Sequence, residues 1–340
     1  MEPRPRSTDV FPSEDGNALR DPLEAADRAM ETLRAVSLQF NSHPLPTRRF
    51  LYGESVSSSR MAGFEATLLD LLCFEEAPEY LSPLHGVRGQ SRYLAALDFG
   101  LERFRHGTLD ANCIKGIFEI LCPDVLIGPS LGKPTPCMQV MSFVARNAHL
   151  HPLLQAGLVH AHVATLELFP AANDRMARIL SALVLAERKG LVSPCLCLSP
   201  FFEKHAETYA RHIRSLADGA DLEPWLAFFI EAARHQAVDT TRRLQALLGI
   251  MDRYRGILLR RGHGTRSAFK VMEHMVNIPL LTARTLIEKV GMSAPTAQSA
   301  IRVWVEAGVL QELTGHRSGR IYLATDLFRL ATEEWKVNAA

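Results

Sequence analysis

Residues 159–188 read VHAHVATLELFPAANDRMARILSALVLAER. The stretch divides into two apolar helical patterns around a polar centre. The first pattern covers 153–166. The second starts at Arg175 and runs to Gly190, a natural helix stop. Its apolar run, 179–186, has the length of a core helix and falls far short of the roughly 20 residues that span a bilayer. Asn173, Asp174, Arg175 and Arg178 sit together where the second pattern begins.

The surrounding chain is also mainly helical. Residues 1–22 carry four prolines and eight charges and read as a disordered tail. Apolar residues at helical spacing mark helices over 25–40, 60–72, 93–105, 111–121, 139–147, 200–217 and 223–259. Residues 122–136, CPDVLIGPSLGKPTP, form a Gly/Pro-rich loop. The last 75 residues change character. Helices are expected over 266–276, 282–290 and 293–307, the last with Ser293 as N-cap and Gly308 as stop. Alternating strands at 309–313 and 320–324 then form a hairpin. Three helices followed by a hairpin describe a winged helix-turn-helix. The organisation expected is a tail at 1–22, an N-terminal helical domain at 23–92, a core at 93–235, a linker helix at 236–265 and a winged helix at 266–340.

Composition narrows the function. Of 340 residues, 47% are hydrophobic and 22% charged, which excludes a wholly disordered or fibrous chain. Lys+Arg number 38 against 37 Asp+Glu, a net charge of +1, so any nucleic-acid contact must be local. No secretory signal and no transmembrane run is read, and a cytoplasmic setting is expected. The six Cys show no metal-ligand spacing and read as reduced thiols; no metal site is expected.

Three segments resemble the Fic (Fido) family. Its core motif is H-x-F-x-[DE]-G-N-G-R-x-x-R, and Phe169, Asn173, Arg175 and Arg178 fall in that frame. Residues 54–72, with Ser58, Ala62 and Gly63, resemble the family's inhibitory helix, E-A-x-x-S-S-x-I-E-G-T-x-A-T-L-x-D-L-L. Many Fic proteins of this layout also carry a C-terminal winged helix. The resemblance implies a mainly α Fic-type fold, with ATP and Mg²⁺ as ligands, AMP transfer to a target hydroxyl as activity, and a tendency to dimerise.

The departures alter that expectation. Where the family has its general-base His, this chain has Glu167; where it has the metal-holding acid, Ala171; and its two glycines are Ala172 and Asp174. A positioned base contributes about 10²–10⁴ in rate, and a metal clamp several kcal/mol. A carboxylate at Asp174 repels phosphate oxygens by roughly 1 kcal/mol or more. Adenylyl transfer by the family's mechanism is therefore expected to be slower by more than about 10⁴-fold. The inhibitory Glu is replaced by Ala62, while its usual partner survives as Arg178. Asp174 lies four residues before Arg178, the spacing at which opposite charges meet on a helix, and is read either as occluding the phosphate site through that pair or as a favourable first-turn acid. Residues 125–128 and 134–136 read as remnants of the family's target-docking flap.

Other features are weighed similarly. His160 and His162 read as core histidines, because i and i+2 face different sides of a helix. His149 and His151 fall in a helix connection. Phe201, Phe202, Trp225, Phe228 and Phe229 read as core. Arg253, Arg255, Arg260, Arg261 and Arg266 form a basic run that reads either as DNA-phosphate contact or as a solvated helix end. Within the expected winged helix, Thr296, Gln298 and Arg302 are candidate base readers and Arg317 and Arg320 candidate phosphate contacts. Residues 266–340 carry nine Lys/Arg and seven Asp/Glu, a net of +2. The leading expectation is a degenerate Fic-type pseudoenzyme that acts by binding, with DNA or a protein as partner. The alternatives, implied by the resemblance, are a nucleotidyltransferase or other phosphotransferase with Glu167 as base and Asn173, Arg175 and Arg178 holding the nucleotide's phosphates, and a protein-interaction adaptor.

Overall fold

The computed structural model describes residues 18–40, 47–78, 85–105, 109–125, 135–189, 196–262 and 265–332. Its body is helical: α1 (Arg20–Ser37), α2 (Thr47–Met61), α3 (Leu68–Glu76), α4 (His85–Arg105), α5 (Ala111–Leu121), α6 (Pro136–Arg146), α7 (Pro152–Leu166), α8 (Asn173–Lys189), α9 (Ser199–Lys204), α10 (Ala206–Ala217) and α11 (Glu223–Arg261). Of the expected tail, 1–17 lies outside the described residues, and helix begins at Arg20, before the expected start.

α7 is the central element. Its sequence, PLLQAGLVHAHVATL, is apolar nearly all round and is buried nearly all round. Pro152 opens it, and the His151 ring accepts the Leu153 N–H at 3.3 Å. α8 packs along one side and α11 crosses another. The crossing is close because residue 157 is glycine: a Cβ there would lie 2.9 Å from Leu226 Cδ2. The Trp225 indole N–H donates to the Gly157 carbonyl at 2.8 Å across the same contact. Trp225, Phe201, Phe202 and Phe229 are buried around it, and Phe228 packs against them. α11 runs unbroken for 39 residues, through position 236, with α1 lying along it.

Two expected helices are each divided. The helix expected over 60–72 stops at Met61, where Gly63 takes φ +82°, a left-handed turn that glycine adopts without strain. The chain restarts at Thr67, whose side chain caps Asp70 N–H while Asp70 returns a bond to the Thr67 N–H at 2.8 Å. Met61, Leu68, Leu71 and Leu72 read as one stripe because they pack on the same core from both sides of that turn. The helix expected over 200–217 breaks at His205, between α9 and α10.

The C-terminal part contains α12 (Thr265–Asn277), β1 (Leu280–Thr282), α13 (Ala283–Glu288), α14 (Ala294–Glu306), β2 (Leu310–Glu312), β3 (Ile321–Ala324) and α15 (Thr325–Thr332). The three strands form one antiparallel sheet in the order β1-β3-β2, with Leu281 opposite Tyr322 and Gln311 opposite Leu323. The hairpin strands lie where the alternation put them. β1 was not anticipated: three residues are too short for a period-2 signal, and all three are buried. Ser293 caps α14, and Gly308 follows it at φ +69°. The Trp304 indole N–H donates to the Ala268 carbonyl at 2.9 Å, fixing α14 on α12.

Buried and half-buried polar contacts join this part to the body. Arg49 of α2 donates to the carbonyls of Val276, at 3.1 Å, and Leu327. Lys289 Nζ meets Glu76 Oε1 at 2.7 Å. Arg243 of α11 donates to the Leu330 carbonyl at 2.5 Å.

Candidate functional site

Residues 167–172 link α7 to α8, and the loop is backbone-strained. Glu167 (φ 47°, ψ 44°) and Ala171 (φ 60°) are the non-glycine residues at positive φ among the described residues. Each such conformation costs about 1–2 kcal/mol. Asn173 holds the loop closed. Its Nδ2 donates to the Val163 and Ala164 carbonyls, at 2.7 and 3.1 Å, and its Oδ1 accepts the Phe169 N–H at 3.2 Å. One amide therefore caps the end of α7 and pins the start of α8. Phe169 is buried, with its ring 5.8 Å from Phe118.

Glu167 and Asp174 are exposed on this loop and helix start, whereas Arg175 and Arg178 are buried. The expected Asp174–Arg178 pair is not made. Arg178 turns to α2 instead: its Nε donates to Ser58 Oγ at 2.7 Å and its Nη2 to the Ser58 carbonyl at 3.1 Å. The i, i+4 spacing brings two side chains within reach of each other. A hydroxyl and a carbonyl presented together from a packed neighbouring helix offer the guanidinium edge two acceptors at once, and the acid stays in water.

Behind Ser58 lies Glu54, which the sequence reading quoted as the first residue of 54–72 but did not name as a site residue. Glu54 is buried, with its Oε1 accepting from Tyr93 Oη at 2.9 Å and its Oε2 from the Ser199 N–H at 2.9 Å; Ser199 Oγ also donates to it. Burial pushes the Glu54 carboxyl up, while the bonds from Ser199 and Tyr93 and the charge of Arg178 oppose the shift. The available signal was an acid within the otherwise uncharged run 50–59.

Arg175 is covered from the same direction. Its guanidinium lies 5.1 Å over the Phe64 ring, and its Nη2 is 3.6 Å from Cys122 Sγ and 3.5 Å from the Ala171 carbonyl. Burial lowers its pKa. Phe64 reaches it because the segment after α2 lies flat on α4. A Cβ at Gly89 would sit 2.6 Å from the Phe64 ring, and one at Gly86 would sit 2.6 Å from the Glu65 carbonyl oxygen. Gln90 Nε2 donates to the Ala66 carbonyl at 2.7 Å, and Ser55 Oγ to the Gln90 carbonyl at 2.6 Å. Ala62 and Gly63 are exposed at the turn of this strap.

The residues present do not suit the family's magnesium. Ala171 offers a methyl group at the acid's position, and no cluster of three or more His, Cys, Asp or Glu able to hold a metal occurs among the described residues. His160 is buried with Nε2 2.8 Å from Tyr209 Oη and Nδ1 3.3 Å from Ser181 Oγ. Burial first, and Arg178's charge second, hold it well below the usual imidazole range. His162 stacks on Phe143 with ring centroids 3.8 Å apart. His151 Nε2 lies 3.0 Å from Asp27 Oδ2. Of the expected flap remnants, 126–128 and 134 lie outside the described residues.

At the C-terminal end, Thr296, Gln298 and Arg302 are exposed on α14, and Arg317 and Arg320 are exposed between β2 and β3. Arg266 and Lys270 of α12 face the start of α14 across a groove of about 500 Å³ that also includes Ser293 and Thr296. Lys270 was missed; its spacing of four from Arg266 was the readable signal. Most of the basic run on α11 is paired: Arg253 with Asp326, Arg255 with Asp252 at 2.9 Å, and Arg261 with Glu306 at 2.5 Å. No helix among the described residues is long and apolar enough to cross a membrane.

No protein-family model matches the sequence. The structure is similar to the crystal structure of a Fic family protein from Desulfovibrio desulfuricans G20, at 16% identity, a TM-score of 0.51, and coverage of 88% of this chain and 95% of that one. A likeness over that share of both chains, at a TM-score above one half, shows that this chain has a Fic-type fold.

Proposed function

We propose that this protein has given up adenylyl transfer and acts by binding, with its C-terminal part working as a winged helix that contacts duplex DNA. The observation that carries the first half is the fate of Arg178. The guanidinium a transferred nucleotide would need is buried and bonded twice to Ser58, and Phe64 covers its neighbour Arg175. Ala171 in the metal-holding position and the exposed acid Asp174 at the helix start add to it. The groove between α12 and α14, with Arg266 and Lys270, supports the second half, as do the exposed Arg317 and Arg320 on the hairpin.

The test has two arms on the full-length chain. Incubation with α-labelled ATP and Mg²⁺ is expected to label neither the chain nor added proteins. Duplex DNA is expected to bind at low salt and release as salt rises, and removing Arg317 and Arg320 together reduces the salt slope by about 2. Brisk labelling overturns the first half. Absence of binding at low salt overturns the second and leaves a protein partner as the target. One observation favours the alternative of a Glu167-dependent transferase: that carboxylate is exposed on the loop beside the start of α8. Labelling that disappears in Glu167→Ala establishes it.

A further inference from the structure

A cleft of about 530 Å³ opens between α2, α9, α11 and α15. α2 presents Gly53, Ser57 and Arg60 to it, roughly the opposite face from Ser58, which is about 140° further round the helix than Gly53. The cleft is therefore separate from the arginines at the start of α8. Four cations line it, Arg49, Arg60, Lys204 and Arg243, against two acids, Glu203 and Asp239, so that four minus two leaves an excess of +2.

Both acids are already engaged. Glu203 lies 3.5 Å from Arg60, and Asp239 lies 2.6 Å from Arg243. Lys204 is exposed and pairs with no acid among the described residues. Arg49 is 5% exposed and has no carboxylate partner. Its two terminal nitrogens donate to backbone carbonyls, and its buried Nε–H has no acceptor among the described residues. Burial lowers this guanidinium to about 9, Arg243 adding to the shift and Tyr254 opposing it. A buried cation without a counter-charge is costly, and a bound anion offsets that cost. Phe50, Leu68, Leu69 and Phe328 give the wall an apolar part beside the polar Thr67, Gln236 and Thr240. The volume falls in the range of about 300–1,000 Å³ typical of small-molecule sites.

We propose that this cleft binds a small organic phosphate monoester, the phosphate neutralising the Arg49 and Lys204 excess and the organic body packing on Phe50, Leu68 and Phe328. A monoester carries roughly −1.5 to −2 at neutral pH, which matches the excess; a carboxylate supplies half of it. The bound ligand ties α15 to α2 and α11.

The test is calorimetric titration of the full-length chain with phenyl phosphate, phenylacetate and inorganic phosphate. Saturable binding of one phenyl phosphate is expected, with inorganic phosphate and phenylacetate each at least about tenfold weaker. Lys204→Gln and Arg60→Gln, both at the cleft's accessible rim, each weaken phenyl phosphate about tenfold, and Arg178→Met leaves it unchanged. The proposal is overturned by no saturable heat with phenyl phosphate, by equal binding of the bare ion or of phenylacetate, or by affinity that survives Lys204→Gln and is lost in Arg178→Met.

Discussion

Replacing Ser58 by Ala removes the 2.7 Å acceptor of Arg178 Nε and leaves the Ser58 carbonyl, at 3.1 Å, as the remaining bond. Arg178 is 3% exposed, so water cannot take the hydroxyl's place. A hydrogen bond to a charged group contributes about 1.5–3 kcal/mol, and leaving the donor buried and unpaired costs an amount of that order. The variant is therefore expected to unfold about 1.5–3 kcal/mol more easily, read as a lower urea midpoint with an unchanged slope. Arg178→Met costs about 2–4 kcal/mol, because it strands the Ser58 hydroxyl and removes the positive charge near buried Glu54. The double variant separates this bond from general packing. With both partners gone no donor is orphaned at Ser58, so the double loss is smaller than the sum by about 1.5–3 kcal/mol. Two losses that add to within about 0.5 kcal/mol refute the reasoning, since independent sites behave that way.

Ala171→Gly relieves a left-handed residue and is expected to raise stability by about 0.5–1 kcal/mol after the added chain entropy of glycine; a lower melting temperature contradicts the backbone argument. Gly89→Ala drives a methyl group into the Phe64 ring, with an expected loss of about 1–3 kcal/mol and faster amide exchange over 62–67, the strap that covers Arg175; unchanged exchange there argues against the strap. Burial first, and Lys289's charge second, lower His274 to about 4, below its unfolded value of about 6.5. The unfolded chain then holds the extra proton between those values, so stability falls as pH drops from about 6.5 to 4, by roughly 3 kcal/mol in all. Glu76 faces this ring with 3.9 Å between Oε2 and Nε2, and burial raises its carboxyl, which acts in the opposite sense. The measurable quantity is therefore the difference: wild type should lose stability more steeply than His274→Gln across that window, and parallel curves remove the effect.

Much of the fold was legible because its signals are local. The apolar run of α7, the stop after Leu121, the Ser293 cap and the hairpin alternation all act within a few residues, and the elements fall where those patterns lie. The two divided helices and the unforeseen β1 show the limit. Periodicity records which residues face the core, and residues on either side of a glycine turn can face the same core.

The sequence by itself determined the chemistry available at the candidate site: an acid at 167, a methyl group at 171, an acid at 174 and two arginines on the following helix. Only the tertiary structure decided what those groups touch. Asp174 and Arg178 have the right spacing to pair, but burial takes one guanidinium toward Ser58 and Glu54 and leaves the acid in water. The physical reason is that desolvation and hydrogen bonding at a helix–helix contact depend on neighbours more than a hundred residues away in the chain. The same holds for Arg49, an ordinary arginine in the sequence, whose isolation from any carboxylate arises only when α2, α12 and α15 close around it.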